Sequence, residues 1–264
     1  MSILLALTYL IAGAFAGVLA GLFGIGGGMI IVPVLIFTFE SQAFSTSVLT
    51  HMAVATSLTT IVFTSLSSVR EHHLNHAIDW LVVRQMATGI VIGTAIGVIF
   101  ITEVPGPMLQ KLIGIFAWLL GIKMLIGWEP ARSGTRPGAL GLGTAGGTIG
   151  FGSAWFGIGG GTFSVPYLTW MQFPMKQAVA TSAACGIPIA MTAAVTNIIS
   201  GWNHTDLPDG ATGFVFWPAV IGIAITSVPF AKVGAKLAHR LDPKVLKKAF
   251  AVLLCVVGTR FLLN

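Results

Sequence analysis

Charge is what this chain lacks. Lys, Arg, Asp and Glu together make up 8% of its 264 residues, against about 25% in an ordinary soluble domain. Between Met1 and Val69 the lone formal charge is Glu40, and from Gly138 to Met175 there is none. With 55% hydrophobic residues and a mean hydropathy of +0.91, a soluble fold of this length could not hide its apolar surface, so the deficit points to a membrane. Cysteine is scarce as well. Cys185 and Cys255 sit inside apolar runs, with neither a CxxC spacing nor a ligand cluster beside them. They read as small buried hydrophobes, which excludes a disulfide framework and a thiolate metal site. No basic run is interleaved with stacking aromatics, so the net charge of +6 does not imply nucleic acid. The apolar runs carry no paired acids and no histidine–thiol arrangement, which argues against an intramembrane enzyme.

What is present is a repeated glycine cluster. "GIGGGMIIVPVL" (24–35) returns as "GIGGGTFSVPYL" (157–168), identical at eight of twelve positions. The GK[ST] ending of a nucleotide-binding loop is missing from both, so bound ATP as an energy source, or any other cofactor, has no support. The halves agree elsewhere too. "AVATS" occurs at 53–57 and 178–182, and "LQKLIGIFAWLLGIKMLI" (109–126) aligns with "LKKAFAVLLCVVGTRFLL" (246–263), matching Lys123 to Arg260. Apolar runs fall at 3–22, 28–39, 47–69, 81–102 and 108–127, and again at 139–156, 161–172, 178–200, 212–231 and 245–263. Most reach the roughly 20 residues that span a bilayer, whereas the runs after each glycine cluster suit half-length helices. The chain divides into a first transmembrane repeat (1–128), a linker (129–138) and a second repeat (139–264). The small-residue stretch at 14–17 has no Lys or Arg before its apolar run, so the N-terminal segment is expected to stay in the mature protein.

Orientation follows from the loops. Residues 232–248 carry Lys232, Lys236, Arg240, Lys244, Lys247 and Lys248 against Asp242, which makes this loop cytoplasmic. The loop 201–211, with Asp206 and Asp209, is then outside. Its counterpart 70–84, with Arg70 and Arg84, is inside, as is the linker with Arg132 and Arg136, while 103–107 is outside. Equivalent loops face opposite sides. The expected fold is therefore an all-α integral membrane protein built as an inverted repeat. Each half is a glycine-broken, re-entrant hairpin plus three transmembrane helices, and both termini are extracytoplasmic.

Inverted repeats with broken helices are a transporter architecture, with substrate near the midplane. A turn inside the bilayer must be shielded or line a cavity, and the helix that follows it opens with unpaired N–H groups that attract an anion. Candidate substrate-binding residues are accordingly Gly24, Gly26, Gly27 and Gly28 in the first cluster and Gly157, Gly159, Gly160 and Gly161 in the second. The matched hydroxyls Thr56, Ser57, Thr181 and Ser182 join them, with Asn197 inside a span. Gly93, by contrast, reads as an ordinary packing glycine. Glu40 and His51 are the candidates for carrying a coupling proton. His72, His73 and His76 have metal-like spacing without convincing partners, so no metal site is assigned. Lys123 and Arg260 read as residues snorkelling to headgroups.

The chain resembles the TauE/SafE sulfite exporter family, also called the 4-toluene sulfonate uptake permease family. The likeness lies in "GLFGIGGGMIIVP" and "SAWFGIGGGTFSVP", in the "AVATS" after each, and in "HLNHAIDW" at 73–80. The second half departs from that pattern, with "GWNHTDLPDG" in place of the last segment. The resemblance implies a bacterial cytoplasmic-membrane permease for sulfite, organosulfonates or related sulfur-containing anions, with the lipid bilayer, its substrate and a coupling proton or ion as partners. An anion channel, or a membrane subunit of a larger complex, is the alternative, and a homo-oligomer is compatible with either.

Overall fold

In hydrocarbon the backbone must satisfy its own N–H and C=O groups, so long apolar runs fold as helices. The computed structural model describes residues 3–23, 28–127, 135, 137–238 and 243–263, and among them are ten helices. α1 (Ile3–Phe23) and α2 (Gly28–Ser41) flank the first glycine cluster. α3 (Leu49–Leu74), α4 (Trp80–Thr102) and α5 (Gly106–Ile126) follow. α6 (Ala139–Phe156) and α7 (Gly161–Trp170) flank the second cluster, ahead of α8 (Met175–Ser200), α9 (Trp217–Ala238) and α10 (Pro243–Leu263). α2 has 14 residues and α7 has 10. At 1.5 Å per residue they rise about 21 and 15 Å, short of the roughly 30 Å of bilayer hydrocarbon.

Among the described residues four helices are long and apolar enough to cross a membrane: α3, α4, α5 and α8. The sequence predicts two further full spans, over 212–231 and 245–263, and the chain forms helices there, α9 with 22 residues and α10 with 21, although α9 begins later than expected. Residues 211–216 form a hairpin of β1 (Ala211–Thr212) against β2 (Val215–Phe216), turning at Gly213 with φ +56°. α9 therefore starts only at Trp217 and runs to Ala238. α10 has Lys247, Lys248 and Arg260 within its length. At the other end of the first half, α3 continues beyond the expected end at 69. His72 and His73 thus lie in its last turn rather than in a loop.

α3 and α8 pack against each other at the centre. Of the apolar window of each, 61% is buried, against 33% in α4 and 28% in α5. Around them α1 packs on α9, α6 on α4, and α5 on α10. Small residues let these backbones touch, which is how helices adhere without a hydrophobic drive between them. A Cβ on Gly258 of α10 would stand 2.7 Å from the Gly114 carbonyl oxygen of α5. Gly93 is a packing glycine of this kind, since a Cβ there would run into the Gly147 carbonyl of α6.

Candidate functional site

The second glycine cluster is a helix break held by defined contacts. α6 ends at Gly157, whose φ of +66° is left-handed and whose N–H donates to the Ser153 carbonyl. α7 starts after Gly160, where φ is +83°. Two positive-φ residues so close together suit glycine alone. The Gly160 carbonyl accepts from the N–H groups of Phe163 at 3.0 Å and Ser164 at 2.7 Å. The N–H groups of Gly161 and Thr162, first in α7, have no carbonyl one turn back to donate to. Pro166 lies six positions into α7 and Pro33 at the matching place in α2.

Gly24, Gly26 and Gly27 lie outside the described residues. Gly28 is described, and it brings the two clusters together. It is buried at the start of α2, where a Cβ would meet the Gly157 carbonyl oxygen and stand 3.1 Å from the Ile158 Cα. Ser57 of α3 binds the same carbonyl, its hydroxyl donating to Gly157 O at 3.0 Å. Gly159 packs on Ile61 of α3, and its carbonyl oxygen would be 2.9 Å from a Cβ on Gly186 of α8. The breaks therefore meet between the two central helices.

The remaining candidates divide. Thr56 and Thr181, matched in sequence, do matched work at helix entrances. Thr56 Oγ1 accepts the Phe216 N–H, just before α9, at 3.0 Å. Thr181 Oγ1 accepts the Asp79 N–H, just before α4, also at 3.0 Å. Ser182 is buried, and its hydroxyl has no partner among the described residues. Asn197 donates from Nδ2 to its own helix at Ala193 O, 2.8 Å away, and Oδ1 has no partner among the described residues. His51 faces two carbonyl oxygens with Nε2, Ile101 O and Val104 O, each at 3.0 Å. Glu40 is paired: Arg260 lies 3.7 Å from it and Gln110 donates to it at 3.3 Å. Arg260 also stands over the Phe37 ring at 4.6 Å, so it is tied to the protein as well as to the headgroup region. Among the described residues no three His, Cys, Asp or Glu side chains are grouped to share a metal ion.

Three hydroxyls at the second break escaped the sequence reading: Ser153, Thr162 and Ser164. All three are buried without a partner among the described residues. A signal was available, because the aligned first-half positions are Ala20, Met29 and Ile31.

Comparison with known proteins agrees with the architecture. The family model for sulfite exporter TauE/SafE matches residues 9–261. A "Probable membrane transporter protein" of Haemophilus influenzae is 36% identical, covering 97% of each chain. Another of that description from Methanocaldococcus jannaschii is 30% identical, covering 96% of this chain and 94% of its own. One from Bacillus subtilis is 25% identical over 96% and 95%. No solved structure matches the chain. With breaks, spans and nearly the full length accounted for, the chain belongs to the TauE/SafE sulfite exporter family, a family of membrane transporters and not of enzymes.

Proposed function

We propose that the protein is a secondary transporter for a small sulfur-containing anion, which binds where the two glycine breaks meet. The observation that carries this is the seating of Gly28 on Gly157 and Ile158 between α3 and α8. Two short helices start there, and a helix start attracts an anion through its free N–H groups and dipole. The sulfur class comes from the family's description; the role of transporter is that of the relatives. The reciprocal pairing of helices, α1 on α9 and α6 on α4, supports an inverted repeat whose hairpins enter from opposite faces. With the basic segment 232–248 cytoplasmic, both termini are extracytoplasmic and the membrane is the bacterial inner membrane. A proton or ion gradient, not ATP, drives such a carrier.

The test is a paired glycine substitution. Gly160 holds φ +83°, and a Cβ there would stand 2.5 Å from Ile189 Cδ1. Gly160→Ala should misplace at least one N–H donor and weaken sulfite or sulfonate binding about 10- to 150-fold, the worth of one hydrogen bond to a charged group. Gly143→Ala is the control, since its Cβ would find nothing nearer than Gln85 O at 3.7 Å. Calorimetry on purified, monodisperse protein reads the difference. Equal affinities in the two variants would remove the break from the binding site.

A further inference from the structure

Serine and threonine in helices commonly donate to a carbonyl of the preceding turn. Thr38, Thr59, Thr60, Thr196 and Thr259 all do so here. Ser153, Thr162 and Ser164 do not, and their hydroxyls are buried without a partner among the described residues. Ser153 and Ser164 are each 0% exposed. One comes from the last turn of α6 and the other from the start of α7, yet they converge. Their Oγ atoms lie 3.9 and 3.4 Å from the point where a Cβ on Gly160 would stand. An unpaired buried hydroxyl costs stability, so two from separate helices around one helix start call for a ligand.

We propose that Ser153 and Ser164, with the N–H groups that open α7, hold the transported anion, and that they select a singly charged oxyanion over a dianion. This rests on the transporter reading and names the charge class of its substrate. Neutral donors can spread one negative charge among several oxygens. The stretches 28–39, 49–69, 138–175 and 177–200 contain no Lys, Arg, Asp or Glu, and α5, which packs Phe116 on Phe156 and Phe163, carries its cations Lys111 and Lys123 about 7 and 10 Å along the helix from that contact. A second charge would enter without a cation beside it, and burying an unpaired charge is costly. Hydrogen sulfite and alkanesulfonates fit; sulfite dianion and sulfate do not. Ile189 Cδ1, 2.5 Å from the same Gly160 point, is the movable side-chain end that a ligand would displace.

Calorimetry on the purified full chain, with methanesulfonate, sulfate and sulfite as probes, tests both parts. Methanesulfonate should bind equally at acidic and alkaline pH, sulfite should weaken as hydrogen sulfite loses its proton, and sulfate should bind at least about 10-fold more weakly than methanesulfonate. Ser153→Ala and Ser164→Ala should each weaken methanesulfonate about 10-fold or more. Their thermal midpoints without ligand should be unchanged or raised, because each removes an unsatisfied hydroxyl. Ser227→Ala is the matched control, a buried unpartnered hydroxyl among the described residues of α9 that packs beside Gly17 of α1; its affinity should stay native. Native affinity in both break variants overturns the site. Sulfate binding as tightly as methanesulfonate overturns the charge selection. A wild type that binds none of the probes overturns the underlying transporter reading as well.

Discussion

The two glycine breaks share GIGGG and the Val-Pro that follows, yet they are built differently around that common frame. In the first, the residues after the turn are Met29, Ile30 and Ile31, all buried in the apolar core. In the second they are Thr162, Phe163 and Ser164, whose two hydroxyls have no partner among the described residues, and the Ser164 hydroxyl lies beside Gly160. The first break closes against the second through Gly28 and contributes shape. In the proposed site the second contributes donors. A duplicated motif thus fixes where two turns meet, and the residues that differ between the copies decide what each turn does there. The same holds farther out. Glu40 of α2 pairs with Arg260, while the aligned position after α7 is Phe173 and the partner of Arg260 in the alignment is Lys123.

The comparison has meaning only if the hairpins enter from opposite faces, and the largest expected effect tests that. With Cys185 and Cys255 replaced, Ser45→Cys after α2 should react with an impermeant thiol reagent added outside intact cells. Gln172→Cys after α7 should react only once the cytoplasmic side is exposed. Both positions are exposed, so the outcome is all or none. Labelling of both from one side would break the inverted arrangement.

A stability difference sharpens the comparison further. Ser57 and Ser182 occupy the same place in the two "AVATS" segments, but Ser57 donates to the Gly157 carbonyl and Ser182 has no partner among the described residues. Ser57→Ala should cost about 1–3 kcal/mol by leaving a buried carbonyl short of its donor. Ser182→Ala should cost less than half of that. Thermal unfolding in detergent, run on both variants, reads the gap; equal losses would mean the second break has no special tie to α3.

Much of this was legible in the sequence for plain reasons. Unbroken apolarity marks helices in lipid, and repeated glycines mark the turns, so α1 to α8 fall close to the expected runs. Helix ends were harder, because Lys and Arg carry on into a helix when their long stems can reach the headgroups. That is why α3 and α9 run past the expected ends at 69 and 231, to Leu74 and Ala238, and why His72 and His73 sit on α3. The hydroxyls divide in an instructive way. Matching residues in the two halves drew attention to Thr56 and Thr181, and both prove to hold the backbone at helix entrances. Repetition preserves what both halves need in order to fold. Ser153, Thr162 and Ser164 break the repetition and were passed over for that reason.

The smallest expected effect concerns the Glu40–Arg260 pair, which joins the two halves and whose aligned positions are Phe173 and Lys123. Side chains 31% and 58% exposed at a separation of 3.7 Å belong to the class of surface ion pairs, whose coupling measures about 0.2–1 kcal/mol. Arg260 has a second hold on Phe37, and Gln110 also reaches Glu40, so neither side chain is freed when the other is removed. Glu40→Gln and Arg260→Gln should therefore each lower stability by no more than about 1 kcal/mol. The double variant should lose less than the sum, with the shortfall giving the coupling. Transport gives the sharper readout. A contact that merely joins α2 to α10 predicts equal small changes in rate for the two single variants at every pH. A proton carried on Glu40 predicts that Glu40→Gln alone flattens the pH dependence of uptake, and that outcome would turn the asymmetric pair from a fastening between the halves into part of the coupling.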